Sequence, residues 1–326
     1  MTEKLKVAVV GVGHLGQHHA RIFHELDQTQ LAAVVDTDEK QGRTVAERHG
    51  VAFYHSLEQL PRTLDAVSIV TPTVSHLEVA REAIQRGWHI FVEKPVTRTV
   101  EEARELVQLA RQEQRWVQVG HIERFNSAVI ELRKHLKDPR FVESHRLGPP
   151  APRVKDIGVV KDLMIHDLDL VLSLMDSEVE SVEAVGIPVL TPFEDIANAR
   201  LRFRDGCLAN LTVSRVTPEQ MRKIRFFQSD AYLSLDYQQQ QLQIFRKSGT
   251  GPSQQPFIDR QIVQMEKTDA LKRELDAFAQ AILTDTQPTV TAKDGLRALA
   301  LAEQISQQIQ QWSTAALQGR GARRAT

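Results

Sequence analysis

The sequence predicts an α/β chain of two domains: first a parallel sheet with helices on both faces, then an α+β domain with an open, largely antiparallel mixed sheet. Three features carry this. From Lys6 to about His121, short apolar runs alternate with longer amphipathic stretches. The first run leads straight into a glycine-rich turn and then a helix. In the second half, strand-like runs follow one another without crossover helices, which points to antiparallel or mixed pairing.

The strands of the first domain are "KVAVVG", "LAAVVD", "AVSIVT", "HIFVEK" and "WVQVGH". Their near-continuous Val, Ile and Ala content suits strands covered on both faces. Between them, "GQHHARIFHEL", "EKQGRTVAERHG", "SHLEVAREAIQRG" and "TVEEARELVQLARQEQ" space apolar residues three and four apart and end in Gly or polar residues, as crossover helices do. After His121 come a helix around "FNSAVIELRKHL", a Pro-rich loop "LGPPAPRVKDIG", and the helical repeat "VVKDLMIHDLDLVLSLM". The runs "VESVEAVGI", "ANARLRF", "CLANLTVSR", "KIRFFQ" and "AYLSLDY" then alternate as strands. "KSGTGPSQQP" reads as an exposed loop, and two amphipathic helices follow, from about Lys272 to Leu283 and from Ala292 to about Leu317. The expected domains are residues 1–121 and 122–318, with a flexible tail at 319–326.

A chain of 326 residues has enough length for two cores. Its net charge of -1 gives no overall field toward nucleic acid or an anionic membrane, so any bound anion must be gripped locally. The single cysteine, Cys207, excludes an internal disulfide framework and a cysteine zinc site, and fits a reducing cytoplasm. It reads as a small apolar strand residue. The start "MTEKLKVAVVGVG" carries neither an export signal nor a run long enough to span a bilayer.

Gly11-Val12-Gly13-His14-Leu15-Gly16 is a complete GxGxxG between a strand and a helix starting near His14, the arrangement of a Rossmann dinucleotide site. Gly11 permits the tight turn, Gly13 lets backbone approach a pyrophosphate, and Gly16 lets helix and strand pack closely. The helix N-terminus adds partial positive charge. Asp36 closes the second strand about twenty residues later, where a carboxylate accepts from the ribose hydroxyls. It would repel a 2′-phosphate, and "DTD" has no adjacent Arg, so NAD is expected over NADP; Arg43 is the nearest cation to qualify this.

Thr71-Pro72-Thr73 and Glu93-Lys94-Pro95 lie at the carboxyl ends of "AVSIVT" and "HIFVEK", where open α/β sheets bind ligands. With "GVGHLG", "DTD", "TPTVSH", "EKPVT" and "DLMIHDLD" in this order, the sequence resembles the Gfo/Idh/MocA oxidoreductases, the glucose-fructose and inositol dehydrogenase family. The resemblance implies an enzyme with Thr71, Pro72, His76, Glu93 and Lys94 at the NAD site, and Lys94 also catalytic beside the nicotinamide and the substrate hydroxyl. It equally implies that Asp162 and His166 are the family's Asp and His four residues apart. Helical residues at that spacing share a face and can converge on one substrate.

The implied reaction is hydride removal from a carbinol carbon while a base takes the hydroxyl proton. His166 is the leading base, and Lys94 hydrogen-bonds the same oxygen or shares the proton transfer. Asp162 orients the substrate or these groups. His18, His19 and His145 lack Cys or carboxylate partners at ligand spacing, so no metal is assigned.

After Gly120, "GHIERFNSAV", "GPPAPRVKDIGVV", "IPVLTPFEDIANARLRFRDGCLANLTVSRV" and "FFQSDAYLSLDY" are similar to one branch of that family, the UDP-N-acetylglucosamine 3-dehydrogenases. That branch starts the diamino-sugar route to amide-linked lipid A. The likeness implies a nucleotide-sugar substrate, a 3-keto product and a pyridoxal-phosphate (PLP)-dependent aminotransferase downstream. It also implies a homo-oligomer, dimer or tetramer, meeting through the open sheet face. Arg124, Arg153 and Lys155 are the cations available for the diphosphate. Two other readings stay open: a dehydrogenase of a free polyol or aldose, and a catalytically silent NAD-binding regulator.

Overall fold

The computed structural model describes residues 4–150, 157–250 and 256–324. The chain divides into two compact units, Met1–Phe125 with Asp269–Leu299, and Asn126–Thr268 with Ala300–Thr326.

The first unit is built on a six-stranded sheet in the order β3-β2-β1-β4-β5-β6. Its strands are β1 (Leu5–Val10), β2 (Thr29–Val35), β3 (Ala52–Tyr54), β4 (Ala66–Ile69), β5 (His89–Glu93) and β6 (Val117–Gly120), every pair parallel. This is the doubly wound order, which reverses between β1 and β4. The crossover helices are α1 (Gly16–Glu25), α2 (Glu39–His49), α3 (His76–Gln85) and α4 (Val100–Gln112). Their ends follow from local chemistry. The Asp38 side chain caps α2 and Gly50 closes it at φ +65°, while Thr99 and Glu102 form a reciprocal capping box on α4. β3 has only three residues, too few for a periodic signal, and is absent from the sequence expectation.

Helix α7 (Ala270–Leu283) belongs to this unit, where the sequence expectation put residues 122–318 together. Leu275, Phe278 and Ala279 are buried with Ile22, Phe23 and Phe91 in the first unit's core, and Asp276 accepts from the Gln28 amide. An amphipathic helix declares that it needs an apolar partner without naming which one.

The second unit contains α5 (Ser127–His135), α6 (Ile165–Leu174) and an eight-stranded sheet in the order β14-β13-β12-β11-β7-β10-β9-β8. The strands are β7 (Phe141–Leu147), β8 (Val179–Ile187), β9 (Ile196–Phe203), β10 (Leu208–Ser214), β11 (Met221–Phe227), β12 (Ala231–Asp236), β13 (Gln241–Thr250) and β14 (Pro256–Gln264). Among the described strands of this sheet, only β7 and β10 pair in parallel. One face packs against helices: Leu132 of α5, Val171 of α6 and Ile305 of α8 (Ala292–Arg324) share a core with Val142, Leu211, Ile224 and Leu233. α8 continues past residue 319, where a tail is expected from sequence.

Of the "KSGTGPSQQP" stretch expected as a loop, residues 251–255 lie outside the described residues, while 247–250 end β13 and Pro256 opens β14, the two strands pairing through Lys247↔Ile258 and Ser248↔Phe257.

Candidate active site

The cofactor cradle lies at the carboxyl end of β1. Gly11 sits at φ +83°, and a Cβ there would press on the Val70 carbonyl at 2.7 Å. A Cβ on Gly16 would overlap the Gly11 carbonyl, so only glycine lets α1 start this close to β1. A Cβ on Gly13 would meet nothing within 4 Å, leaving open space over this peptide. The first turn of α1 holds no acidic residue and Leu15 makes no side-chain cap, so the positive end of the helix is not neutralised.

Asp36 is held toward this turn by two peptides, Val12 N donating to Oδ2 at 2.7 Å and Asp38 N to Oδ1 at 2.9 Å. Gly11, Gly13, Asp36, Thr37, Thr71 and Pro72 line one cavity of about 740 Å³. These features fit a dinucleotide: room for the pyrophosphate at Gly13, an uncompensated helix terminus and an oriented ribose acceptor. Arg43, the one cation that qualified the choice of NAD, is exposed and paired with Glu39 at 2.8 Å.

His14 and Leu15 are exposed beside the turn, whereas His76, at the start of α3, is buried. It is 1% exposed, with Nε2 2.9 Å from the Thr71 carbonyl and Nδ1 3.0 Å from the Pro95 carbonyl. It joins the loops after β4 and β5. Burial holds its pKa below the ordinary histidine value, against the two carbonyl contacts. Glu93 and the half-buried Lys94 end β5, and Lys94 N donates to Glu93 Oε2 at 3.3 Å.

A second cavity of about 780 Å³ in the same unit is lined by His89, Arg111, Arg115, Trp116 and Lys293. It opens at the amino ends of β5 and β6, away from the strand ends where such sheets bind ligands, and holds none of the residues selected from sequence.

In the second unit, Asp162 lies in a π-helical turn, Val160–Met164, that runs into α6, where His166 stands. Such single π turns recur at functional sites. Both side chains are half-buried on a segment otherwise largely packed away. Arg146 of β7 grips Asp167, the neighbour of His166, through Nε and Nη2 at 3.0 Å each. The approach to the π turn is fixed as well: Arg215 donates to the Ile157 carbonyl at 2.7 Å, and Val159 N donates to the Glu194 carbonyl at 3.0 Å. Arg215 is itself paired with Asp195 at 2.8 Å.

Arg124 is 10% exposed and lies 3.5 Å from Asp294 in the first unit. Asp294 stays below the ordinary carboxylate pKa although burial opposes this, because the Thr291 hydroxyl and Arg124 favour its charge. Arg153 and Lys155 lie outside the described residues. Cys207 is buried, and burial pushes its thiol up to about 12, so it is no nucleophile at neutral pH.

Sequence reading missed three site neighbours: His19, which meets Glu93 at 3.2 Å; Arg146, which holds α6; and the Asp195–Arg215 pair. Their partners stand 20 or more positions away, so no local motif joins them.

The family profile described as "Oxidoreductase family, NAD-binding Rossmann fold" matches residues 5–121, and that of the GFO/IDH/MocA C-terminal domain matches residues 114–234. The chain is 39% identical over 303 residues to UDP-N-acetylglucosamine 3-dehydrogenase of Acidithiobacillus ferrooxidans, covering 92% of this chain and 96% of that one. The solved structure of that enzyme superposes with a TM-score of 0.88 at 38% identity, covering 94% and 97% of the two chains. Inositol 2-dehydrogenase of Rhizobium meliloti is 26% identical over 317 residues, 92% of this chain and 95% of that one. With a glycine cradle, an oriented Asp36 and these likenesses along nearly its whole length, the chain belongs to the GFO/IDH/MocA oxidoreductases and carries their NAD-binding Rossmann domain.

Proposed function

We propose that this protein oxidises the 3-hydroxyl of UDP-N-acetylglucosamine to the 3-keto nucleotide sugar with NAD. The observation that carries the reading is the 39% identity to an enzyme of that name along nearly the full length of both chains. The Glu93-Lys94-Pro95 motif and the four-residue spacing of Asp162 and His166, which resemble the family's, support this reading.

NAD, when bound, supplies the hydride acceptor. His166 takes the proton of the substrate hydroxyl. Lys94 donates a hydrogen bond to the same oxygen and stabilises its developing negative charge. Asp162, one turn before His166, orients the substrate or the base. We assign the diphosphate to Arg153 and Lys155 first, with Arg124 sharing it against its existing partner Asp294.

A cytoplasmic homo-oligomer, dimer or tetramer, fits this reading. On the sheet face turned away from the helices, Phe141, Phe227, Tyr232 and Phe245 form a ladder of neighbouring rings with centroids 4.9 to 5.6 Å apart. Such a surface suits a second copy of the chain. The keto product is a substrate for a PLP-dependent aminotransferase, as the route to diamino-sugar lipid A requires.

The test mixes purified protein with NAD and UDP-N-acetylglucosamine, with and without such an aminotransferase. NADH together with a keto or amino nucleotide sugar is expected. Turnover of inositol or glucose in place of the UDP-sugar would transfer the protein to the polyol dehydrogenases. Tight NAD binding with no alcohol oxidised would make it a regulator.

A further inference from the structure

We propose that His19 is a positioning residue for the Glu93–Lys94 turn and acts through the Glu93 carboxylate. His19 stands on α1 just beyond the glycine cradle and is fully buried. Its Nδ1 lies 2.9 Å from Ser68 Oγ on β4, and its Nε2 lies 3.2 Å from Glu93 Oε1 at the end of β5. The ring rests edge-on against Phe91, centroids 5.4 Å apart. The second contact is close but not aligned as a hydrogen bond, since Nε2 misses hydrogen-bond geometry.

For the neutral ring these contacts favour one tautomer. A lone pair on Nε2 facing a carboxylate would repel it, so the proton sits on Nε2 and the Ser68 hydroxyl donates to Nδ1. Glu93 is thereby held on one side by His19. Its other oxygen accepts from Lys94 N at 3.3 Å, and Gly120 leaves room for it, because a Cβ there would meet Glu93 Oε2 at 2.8 Å. A carboxylate only 13% exposed needs such partners to keep one orientation. The peptide it accepts from is the one that carries Lys94.

Ser68, His19 and Glu93 also stand in the order of a hydrolytic triad. Ser68 is 0% exposed in the middle of the sheet, so no substrate carbonyl reaches its hydroxyl. The cluster therefore orients. This inference rests on the reading that Lys94 acts on the substrate, but its geometric core does not.

The experiment has two arms on the full chain. In the first, the Lys94 amine is labelled competitively with acetic anhydride in wild type, His19→Leu, Glu93→Gln and the double variant, and read by mass spectrometry. The exposed Lys134 serves as internal control. Lys94 labelling is expected to change several-fold in each single variant, with no further change in the double and none at Lys134. In the second arm, kcat of His19→Leu for UDP-N-acetylglucosamine is expected to fall roughly 10²-fold, the cost of a misplacement of about 1 Å, with its NAD affinity and KM nearly unchanged.

Unchanged Lys94 labelling in Glu93→Gln, an isosteric change that keeps the fold, overturns the inference. So do effects of the two substitutions that simply add. Altered labelling with no UDP-sugar turnover even in wild type would instead sink the proposed substrate and leave the positioning role standing.

Discussion

Arg146 of β7 and Asp167 of α6 form a two-pronged ion pair, each nitrogen 3.0 Å from a carboxylate oxygen, with both side chains almost wholly buried. The Arg146 guanidinium also lies over the Tyr237 ring, 5.4 Å from its centroid. Since Asp167 follows His166 directly, the pair sets the rotation of α6 and with it the direction of the histidine. Arg146→Met leaves a buried carboxylate uncompensated and is expected to cost about 3–5 kcal/mol, seen as an earlier denaturant midpoint. An unchanged midpoint would deny the pair its role.

Asp36→Ala removes the oriented carboxylate proposed to bind the ribose. NAD affinity is expected to fall roughly tenfold to hundredfold, the loss of a charged hydrogen bond of about 1.5–3 kcal/mol, while NADP affinity falls less or rises. Titration with each cofactor checks this, and an unaltered preference would remove Asp36 from the ribose site.

His166→Ala is expected to lower kcat by about 10²–10⁴, the range of general-base catalysis, while NAD affinity holds. Equal losses in both would contradict the base assignment. Steady-state kinetics and cofactor titration on one preparation decide it.

Asp195 gives a pH signature. Burial alone would raise its pKa, but the peptide N–H groups of Leu190, Thr191 and Val189 and the Arg215 guanidinium outweigh it and hold the carboxyl well below the usual carboxylate range. A depressed folded pKa contributes stability that is fully present above the unfolded value and is lost as pH falls through the folded one. The stability gap between wild type and Asp195→Asn is therefore expected to be constant from neutral pH down to the ordinary carboxylate value and to close below it. A gap that widens on acidification would show that these contacts do not favour the charge.

Cys207 is expected to react very slowly with thiol reagents in the native protein and to titrate as one thiol once denatured, because burial withholds the thiolate. Rapid native labelling would place it at the surface.

Sequence alone settled whatever is written in neighbouring residues. The period of the apolar runs gave the parallel sheet and the first four helices, and the GxGxxG followed by Asp36 located the cradle that Gly11, Gly13 and Gly16 form. These are readable because strand, turn and helix impose their demands within a few positions. What tertiary structure alone decided lies between distant positions: α7 against Phe23 and Phe91, His76 against the Pro95 carbonyl, His19 against Glu93, and Arg146 on Asp167. A buried polar group finds its partner by proximity in space, and proximity in space leaves no period and no motif along the chain.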